Sequence, residues 1–267
     1  MPFMPARRIL IVVENLPVPL DRRVWLEATT LVEAGYEVSV ICPMGRGWTA
    51  PYEVIDGVHI YRHPAPPEAH SGALAYAREY GHALWHWFRL ARKVRRERGF
   101  DVIQGCNPPD LIFLLALLYR PFGVRYMFDH HDVCPELFEA KFGKRGVLHK
   151  VMLLWERITF AVASVSIATN DSFRAIALRR GRMKPEDVFV VRSAPRTELF
   201  RPGPGDPARR KGAACHLGYV GVIGQQEGMD LLVAAIASLV WFAGFSHIEA
   251  VHNAAHDTRH SAAFPCH

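Results

Sequence analysis

The sequence predicts an α/β protein built on a doubly wound, Rossmann-like parallel sheet. Short apolar runs alternate with longer amphipathic stretches over residues 1–200, an order that places helices on both faces of a parallel sheet. Turn-forming and helix-capping residues separate the runs. The chain has 267 residues, of which 50% are hydrophobic and 22% charged, and these values exclude disordered, collagenous and coiled-coil proteins.

Each element is predicted from a local signal. The run Ile9–Val13 is typical of a buried strand, and Asp21 can cap a helix for which Gly35 supplies the stop. Pro43 closes the next strand, and Asp56-Gly57 between two short apolar runs signals a hairpin. Together the signals predict strands at 9–13, 37–42, 53–55, 58–61, 102–104, 124–128, 165–168 and 188–191, and helices at 21–34, 72–98, 109–118, 147–163 and 171–180.

Beyond the first domain, residues 1–200, the chain predicts the start of a second one. Residues 201–215 include RPGPGDPARRKG, whose proline, glycine and charge are typical of a linker. A strand at 217–222 and a helix at 228–240 follow, which is only the first βα unit of a second Rossmann-like domain spanning 216–240.

Residues 241–267 are predicted to be an unrelated tail. His252, His256 and His260 have the spacing i, i+4, i+8, which on a helix would form a stripe able to chelate a transition metal. The alternative is that these residues are translated in an altered reading frame, after a truncation of the parent protein.

Charge, cysteine content and hydropathy limit the location of the protein. The five cysteines never have Cys-x-x-Cys spacing, which favours a reducing cytoplasm over a disulfide framework. The longest apolar run, Leu111–Tyr119, is far shorter than the roughly 20 residues that span a bilayer. We therefore expect a cytoplasmic protein, with peripheral binding to the inner face of the cytoplasmic membrane as a further option.

That option depends on one basic segment. Arg89–Arg98 has six basic residues and one acidic residue, a net +5 of the chain's +6. On a helix, Trp87 and Phe88 lie on the apolar side, opposite a basic side formed by Arg89, Arg92, Lys93 and Arg96. This pattern suits an anionic membrane surface, and the alternative is a helix packed on the sheet with a solvated charged face. No nucleic-acid-binding motif accompanies the charge, so a nucleic-acid partner is not expected.

The densest cluster of reactive groups is Phe128–Glu136, FDHHDVCPE, directly after a predicted strand. Ligands of open α/β sheets bind at this edge, so the cluster could serve acid–base chemistry or hydroxyl recognition. A metal site is disfavoured, since adjacent His130 and His131 cannot easily reach one ion. The alternative is a loop followed by a helix starting at Pro135.

The first strand lacks the Gly-x-Gly-x-x-Gly turn of dinucleotide-binding folds, which makes an NAD-dependent oxidoreductase improbable. Asp21-Arg22-Arg23 stands there instead. The two arginines could hold an anionic group, or they could form a solvated first helical turn.

Four segments together resemble one protein class: ENLPVPLDRRVWLEATTLVEAGYEVSVICP, FDVIQGCNPPDL, FDHHDVCPELF and YVGVIGQQEGMDLLVAAI. They are similar to bacterial family-four glycosyltransferases of the two-Rossmann-domain GT-B architecture, of the exopolysaccharide and surface-polysaccharide type. The resemblance covers about residues 7–240. It implies retaining transfer of a hexosyl group from a UDP- or GDP-sugar to a surface-polysaccharide or lipid-linked acceptor, without a required metal or cofactor.

The resemblance also implies roles for particular residues. His131 and Asp132 match the family's His-Asp loop and would be catalytic, while Gly221, Gly224 and Gly228 match the turn that binds the donor diphosphate. In the acceptor-side first domain, the residues expected to contact the acceptor are Asn15, Arg22, Arg23, Asn107, Asp129 and Glu136.

Two departures from the family pattern leave alternatives open. Glu227 stands where many members have a lysine facing the phosphates, and the family's late Glu-x7-Glu segment has no match. A catalytically inactive, truncated glycosyltransferase is therefore the main alternative. An unrelated Rossmann-type binding module is the other.

Overall fold

The computed structural model describes residues 8–65, 73–143, 145–194, 201, 203–204 and 228–244. The chain divides into two compact units, Met1–Ala194 and Pro195–His267. No helix among the described residues has both the length and the apolarity needed to cross a membrane.

The first unit contains an eight-stranded sheet, and this confirms the predicted fold class. The strand order is β3-β4-β2-β1-β5-β6-β7-β8, with every neighbouring pair parallel except the β3–β4 hairpin. Asp56 and Gly57 form the hairpin turn, both with positive φ. The strands are β1 Arg8–Val13, β2 Glu37–Pro43, β3 Tyr52–Ile55, β4 Val58–His63, β5 Val102–Cys106, β6 Arg125–His130, β7 Val165–Ala168 and β8 Val188–Val190.

The five predicted helices are present in the first unit, and one of them begins later than predicted. A further helix, Cys134–Phe142, was expected only in the alternative interpretation of Phe128–Glu136, in which a helix starts at Pro135. The helix predicted from residue 109 begins at Phe113, because Pro109–Ile112 form a turn against the core. The helices of the first unit are α1 Arg22–Glu33, α2 Ala73–Glu97, α3 Phe113–Tyr119, α4 Cys134–Phe142, α5 Val147–Val162 and α6 Asp171–Arg179; short 3-10 turns occupy Arg120–Phe122 and Pro185–Asp187.

Two hydrophobic clusters cover opposite faces of the sheet, because successive strand side chains point to opposite sides. Leu10 and Val12 pack in the larger cluster, which includes side chains of α2, α3, α5 and α6. Ile9 and Ile11 pack in the smaller cluster with α1. Among the described helices, α1 is the one that packs in the smaller cluster. Its first turn lies close to the carboxyl end of β6.

The structure corrects the predicted membrane contact of Trp87. Its side chain is fully buried in the larger cluster, and its indole Nε1 donates to Glu14 Oε2 at 2.7 Å. Phe88 is half-buried against the same cluster, whereas Arg89, Arg92, Lys93 and Arg96 are exposed. The apolar side of α2 is thus a core face, as the alternative interpretation of this helix expected.

In the second unit, the structure describes helix α7, Met229–Gly244, which extends the predicted helix 228–240. Gly228 precedes it with φ +62°. The predicted strand 217–222, with Gly221, Gly224 and the tail histidines, lies outside the described residues.

Candidate active site

The ends of two neighbouring strands, β5 and β6, and the start of α1 form a polar site at the carboxyl edge of the sheet. Strand β5 ends at Cys106 and leads into Asn107, and β6 ends at His130 and leads into His131. Asp21 caps α1 through a hydrogen bond from the Val24 amide to its Oδ1 at 3.1 Å. The open edge of a parallel sheet is where α/β proteins bind ligands.

Arg23 connects the parts of this site. Its Nη2 donates to Asp129 Oδ1 at 3.0 Å, its Nη1 donates to the Val191 carbonyl at 2.8 Å, and its Nε lies 2.7 Å from His131 Nε2. The guanidinium therefore joins the first helix, the end of β6 and the chain after β8. The anionic group that Arg23 binds in the structure is Asp129 of the same chain, and its contact with an acceptor stays a prediction.

His131 Nε2 stands between a donor and an acceptor. Besides Arg23 Nε, it lies 2.6 Å from Asp129 Oδ2. When Nε2 bears a hydrogen it donates to Asp129, and when it bears a lone pair it accepts from Arg23, so the two contacts exclude each other. In either state Nδ1 remains for a substrate, since it forms no hydrogen bond within the described ranges.

The pKa values of two carboxyl groups of the site, Asp129 and Glu27, are shifted in opposite directions. Burial raises the pKa of Asp129, but its hydrogen bonds and ion pairs with His131 and Arg23 outweigh burial and hold it below the ordinary value. Burial, with the nearby Asp129 charge, raises the pKa of Glu27 to about 8. Burial thus favours the neutral form of Glu27, whose Oε1 lies 3.2 Å from Arg23 Nε. Gln104 Nε2 donates to Glu27 Oε2 at 2.6 Å and to Asp129 Oδ2 at 3.2 Å.

Asn107 fixes the loop that contains His131. Its side-chain Oδ1 accepts from the backbone amides of His131 at 2.7 Å and Asp132 at 3.1 Å. Its Nδ2 donates to the Asp132 carbonyl at 2.7 Å and to Asp110 Oδ1 at 2.9 Å. The amide is buried and fully engaged, so Asn107 fixes the loop of His131 and Asp132 and is not exposed to an acceptor. The Asp132 carboxyl is half-buried, and burial raises its pKa.

A metal ion does not fit the centre of this site well. The potential ligand atoms of Cys106, Asp129 and His131 lie within 4.8 Å of one another. However, the Arg23 cation contacts Asp129 Oδ1 and His131 Nε2, and burial raises the pKa of the Cys106 thiol well above its ordinary value. A positive charge and a protonated thiol both oppose cation binding, and the arrangement instead suits hydrogen bonding and proton movement.

Several predicted acceptor contacts lie elsewhere or cannot reach an acceptor. Asp129 has no exposed surface, so it acts through Arg23 and His131. Glu136 is bound by Arg180, whose Nη2 donates to Oε2 at 3.1 Å, and Arg180 also binds the buried Glu156. Arg22 is exposed on the first turn of α1.

Asn15 lines a separate cavity of about 460 Å³ beside the carboxyl ends of β1 and β2. Arg46, Tyr80 and Pro108 line the same cavity. So does Glu14, whose Oε2 accepts from Trp87 and lies 3.1 Å from His63 Nε2. The cavity combines an aromatic ring with charged and amide groups, a lining suited to a hydroxylated ligand.

His130, adjacent to the site histidine, is a core residue. Its fully buried ring lies 5.4 Å from the ring of Phe128, 5.3 Å from that of Phe160 and 5.0 Å from that of Phe173. Neither ring nitrogen has a hydrogen-bond partner. Burial, reinforced by the charge of Arg180, lowers the pKa of His130 to about 4.

Sequence reasoning missed Glu27, Gln104 and Glu14. Glu27 is four residues after Arg23 on α1, a spacing that brings the two side chains together on one face of the helix, so this signal was present. Gln104 was a polar residue within a buried strand, which also indicates a polar partner nearby. The pairing of Glu14 with Trp87 depends on tertiary packing over 73 residues and has no local signal.

The fold and this edge of the sheet define the class of protein. The structure is similar to sucrose-phosphate synthase from Thermosynechococcus elongatus, with a TM-score of 0.64 and 17% identity over 87% of this chain and 60% of the other. It is also similar to the catalytic domain of starch synthase IV from Arabidopsis thaliana bound to ADP and acarbose, with a TM-score of 0.52 and 13% identity over 88% of this chain and 66% of the other. The chain thus spans less than two thirds of either structure, and the similarity shows the N-terminal fold of a GT-B glycosyltransferase.

The sequence identifies the family. Residues 20–194 match the family described as glycosyl transferase 4-like domain, and the chain belongs to that family. Residues 229–267 match a second family, described as a probable cobalt transporter subunit (CbtB). This second match includes helix α7 and the predicted tail, so the assignment of residues 216–240 to a donor-binding domain stays a prediction. No curated protein matches the chain.

Proposed function

We propose that the chain is the acceptor-side part of a retaining glycosyltransferase. The reaction would transfer a hexosyl group from a UDP- or GDP-sugar to a surface-polysaccharide or lipid-linked acceptor. The observation that supports this most is the placement of His131 Nε2 between Arg23 and Asp129, at the ligand-binding edge of a glycosyl transferase 4-like domain. The reaction requires no resident metal or cofactor in this proposal.

The site residues have distinct roles in the proposed reaction. Asn107 holds the backbone of His131 and Asp132, while Asp129 and Arg23 fix the imidazole through Nε2. His131 then presents Nδ1 to the reacting sugar or the leaving diphosphate. The Arg23 cation neutralises the charge of the Asp129 carboxylate. This pair would therefore not repel the diphosphate of a donor.

The acceptor would enter the 460 Å³ cavity beside β1. Its volume accommodates a sugar unit, and Asn15 and Tyr80 supply the hydrogen-bonding and aromatic groups that hold hydroxylated rings. Gly221, Gly224 and Gly228 are the proposed donor-diphosphate contacts, and Arg22 is a proposed acceptor contact.

Transfer of radiolabelled hexose from UDP- and GDP-sugars to lipid-linked acceptors from bacterial membranes tests the proposal. We expect labelled product whose new linkage, determined by NMR, keeps the anomeric configuration of the donor. An inverted linkage would contradict the retaining mechanism. A folded chain that transfers no hexose from any donor would favour the inactive-fragment alternative.

The match of residues 229–267 favours one additional function. We propose that His252, His256 and His260 bind Co²⁺, since neutral imidazoles suit divalent transition metals and the matched family is described as a cobalt transporter subunit. Calorimetric titration with CoCl₂ should give binding that is lost when the three histidines are replaced by alanine. Binding unchanged by that replacement would contradict the assignment.

A further inference from the structure

Three histidines and a glutamate come together where β1 and β4 end beside α2. Glu14 follows β1, His63 ends β4, and His82 and His86 lie one turn apart on α2. The ring centroid of His86 is 5.1 Å from that of His63 and 4.4 Å from that of His82, and the centroids of His63 and His82 are 6.3 Å apart. We call these four residues the histidine cluster.

The ring of His63 has an acceptor at each of its nitrogens. The ring is fully buried, with Nδ1 lying 2.9 Å from the Pro64 carbonyl and Nε2 lying 3.1 Å from Glu14 Oε2. A neutral imidazole has one N–H hydrogen, so when Nδ1 donates to Pro64, the lone pair of Nε2 faces a carboxylate oxygen. A cation bound to both atoms removes this conflict. Histidines that bind metals typically donate their other N–H to a carbonyl, as Nδ1 can do here.

Two further polar atoms of the histidine cluster are buried without a partner. The Glu14 side chain is only 10% exposed, and its Oε1 forms no hydrogen bond within the part of the chain that the structure describes. Its other oxygen, Oε2, is fixed by Trp87 Nε1, which donates to it at 2.7 Å. His82 Nδ1 is likewise buried and unpartnered among the described residues. Buried polar atoms are rarely left unpaired, so these two atoms indicate a ligand.

The charges around the histidine cluster permit a cation. Burial, reinforced by the neighbouring histidines and Arg89, lowers the pKa of His86 to about 4, so this ring is neutral at pH 7 and offers a lone pair. Arg89 Nη2 lies 3.5 Å from His86 Nδ1, but Arg89 is exposed and can turn into water when a metal binds. The active site differs, because Arg23 is held there by the buried Asp129.

We propose that the histidine cluster binds one Zn²⁺ ion. Imidazole nitrogens and a carboxylate oxygen are typical zinc ligands, and two histidines at i and i+4 on one helical face commonly supply half of such a site. Tetrahedral geometry with Zn–N bonds of about 2.0–2.1 Å separates bound ligand atoms by about 3.3 Å and imidazole centroids by about 5 Å. The 3.1 Å between His63 and Glu14 and the ring separations of 4.4, 5.1 and 6.3 Å are close to these values.

Binding requires the two helix histidines to turn. Among the described residues, three ligand atoms within 4.8 Å of one another occur in the active site and not in the histidine cluster. His82 and His86 are half-buried on the surface of α2, so rotation about their side-chain bonds can bring a nitrogen of each toward Glu14 and His63. The ion would fasten α2 to the ends of β1 and β4, beside the cavity of about 460 Å³. This site goes beyond the proposed glycosyl transfer, which requires no metal.

Calorimetric titration of the full chain with ZnCl₂ tests the proposal. The parent for this experiment has alanine in place of the tail histidines His252, His256 and His260, so that they cannot contribute. We expect one Zn²⁺ per chain, with binding at least about a hundredfold weaker in His82→Ala/His86→Ala because two of the four ligands are lost. The matched control, His59→Ala/His149→Ala, removes two histidines elsewhere and should keep the affinity of the parent.

Two further measurements locate the ion and show that the variant is folded. Saturating ZnCl₂ should raise the Tm of the parent by several degrees but not that of His82→Ala/His86→Ala, whose metal-free Tm should match the parent. Co²⁺ in place of Zn²⁺ should give the visible absorption of a tetrahedral site without a thiolate-to-metal band.

Three results would overturn the proposal. The first is a folded parent that binds no Zn²⁺ below millimolar concentration, in which case a protonated His63 would account for both of its contacts. The second is an affinity that His82→Ala/His86→Ala leaves unchanged. The third is a thiolate-to-metal band with Co²⁺, which would place the ion at a cysteine such as Cys106.

Discussion

The buried histidine beside the site gives a quantitative prediction. His130 lies without a hydrogen-bond partner among Phe128, Phe160 and Phe173, and burial lowers its pKa to about 4. The charged groups nearest to it are Arg180, Asp129, Glu136 and His131. We expect His130→Phe to make the folded state less sensitive to acid, because phenylalanine suits this aromatic pocket and cannot take up a proton.

The sign and size follow from the two protonation equilibria. The folded-state pKa of about 4 lies below the ordinary value of about 6.5, so the unfolded chain takes up the proton first as the pH falls. The stability that depends on neutral His130 is therefore fully present above about pH 6.5 and is lost as the pH falls toward 4. The loss reaches about 2 kcal/mol at pH 5 and about 3 kcal/mol at its limit, because each pKa unit is worth about 1.4 kcal/mol.

Urea unfolding at pH 8 and pH 5 measures this effect. The wild-type chain should lose about 2 kcal/mol more than His130→Phe between the two pH values, and packing differences cancel because they act at both. Phe160→Leu is the control, since it removes a ring contact but no titrating group and should lower stability similarly at both pH values. Equal pH dependence in wild type and His130→Phe would refute the argument that this histidine is buried in its neutral form.

Three further substitutions test the packing and the site. Trp87→Ala should lower the free energy of unfolding by about 3–5 kcal/mol in urea titration, and an unchanged value would contradict its place in the core. Asn107→Ala leaves the amides of His131 and Asp132 without this acceptor and should lower the free energy of unfolding by about 2–4 kcal/mol. A loss below about 1 kcal/mol would contradict the role of Asn107 in fixing this loop. Arg180→Ala strands the buried Glu156 carboxylate and should cost about 3–5 kcal/mol by thermal unfolding, whereas a neutral effect would show that the pair contributes little.

Much of the fold could be predicted because local patterns and tertiary packing agree. The apolar runs at β1, β2 and β6 are buried strands, and the capping residue Asp21 begins α1 where expected. The start of α3 could not be placed from the sequence. Pro109–Ile112 have the composition of a helix start, but they pack as a buried turn after Asn107.

The candidate site was predictable in position but not in its internal roles. The cluster Phe128–Glu136 lies at the predicted edge of the sheet, yet its three carboxylates have different environments: Asp129 is buried in the network, Asp132 lies in the loop and Glu136 pairs with Arg180. Sequence spacing cannot separate these roles, because each depends on a partner more than 20 residues away. The same holds for Trp87, since helical periodicity gives an apolar side but not what covers it.

Two adjacent histidines test the central claim most directly. His131 belongs to the proposed reacting centre and His130 to the hydrophobic core, although the two residues are neighbours in sequence. The measurement is the rate of hexosyl transfer by His131→Ala and by His130→Phe at pH 8, where His130 is neutral in both states. We predict that His131→Ala lowers the rate by at least about a hundredfold, while His130→Phe stays within about threefold of wild type. A His131→Ala variant with wild-type transfer, or equal losses in both variants, would contradict the assignment of the Arg23–Asp129–His131 network as the site of glycosyl transfer.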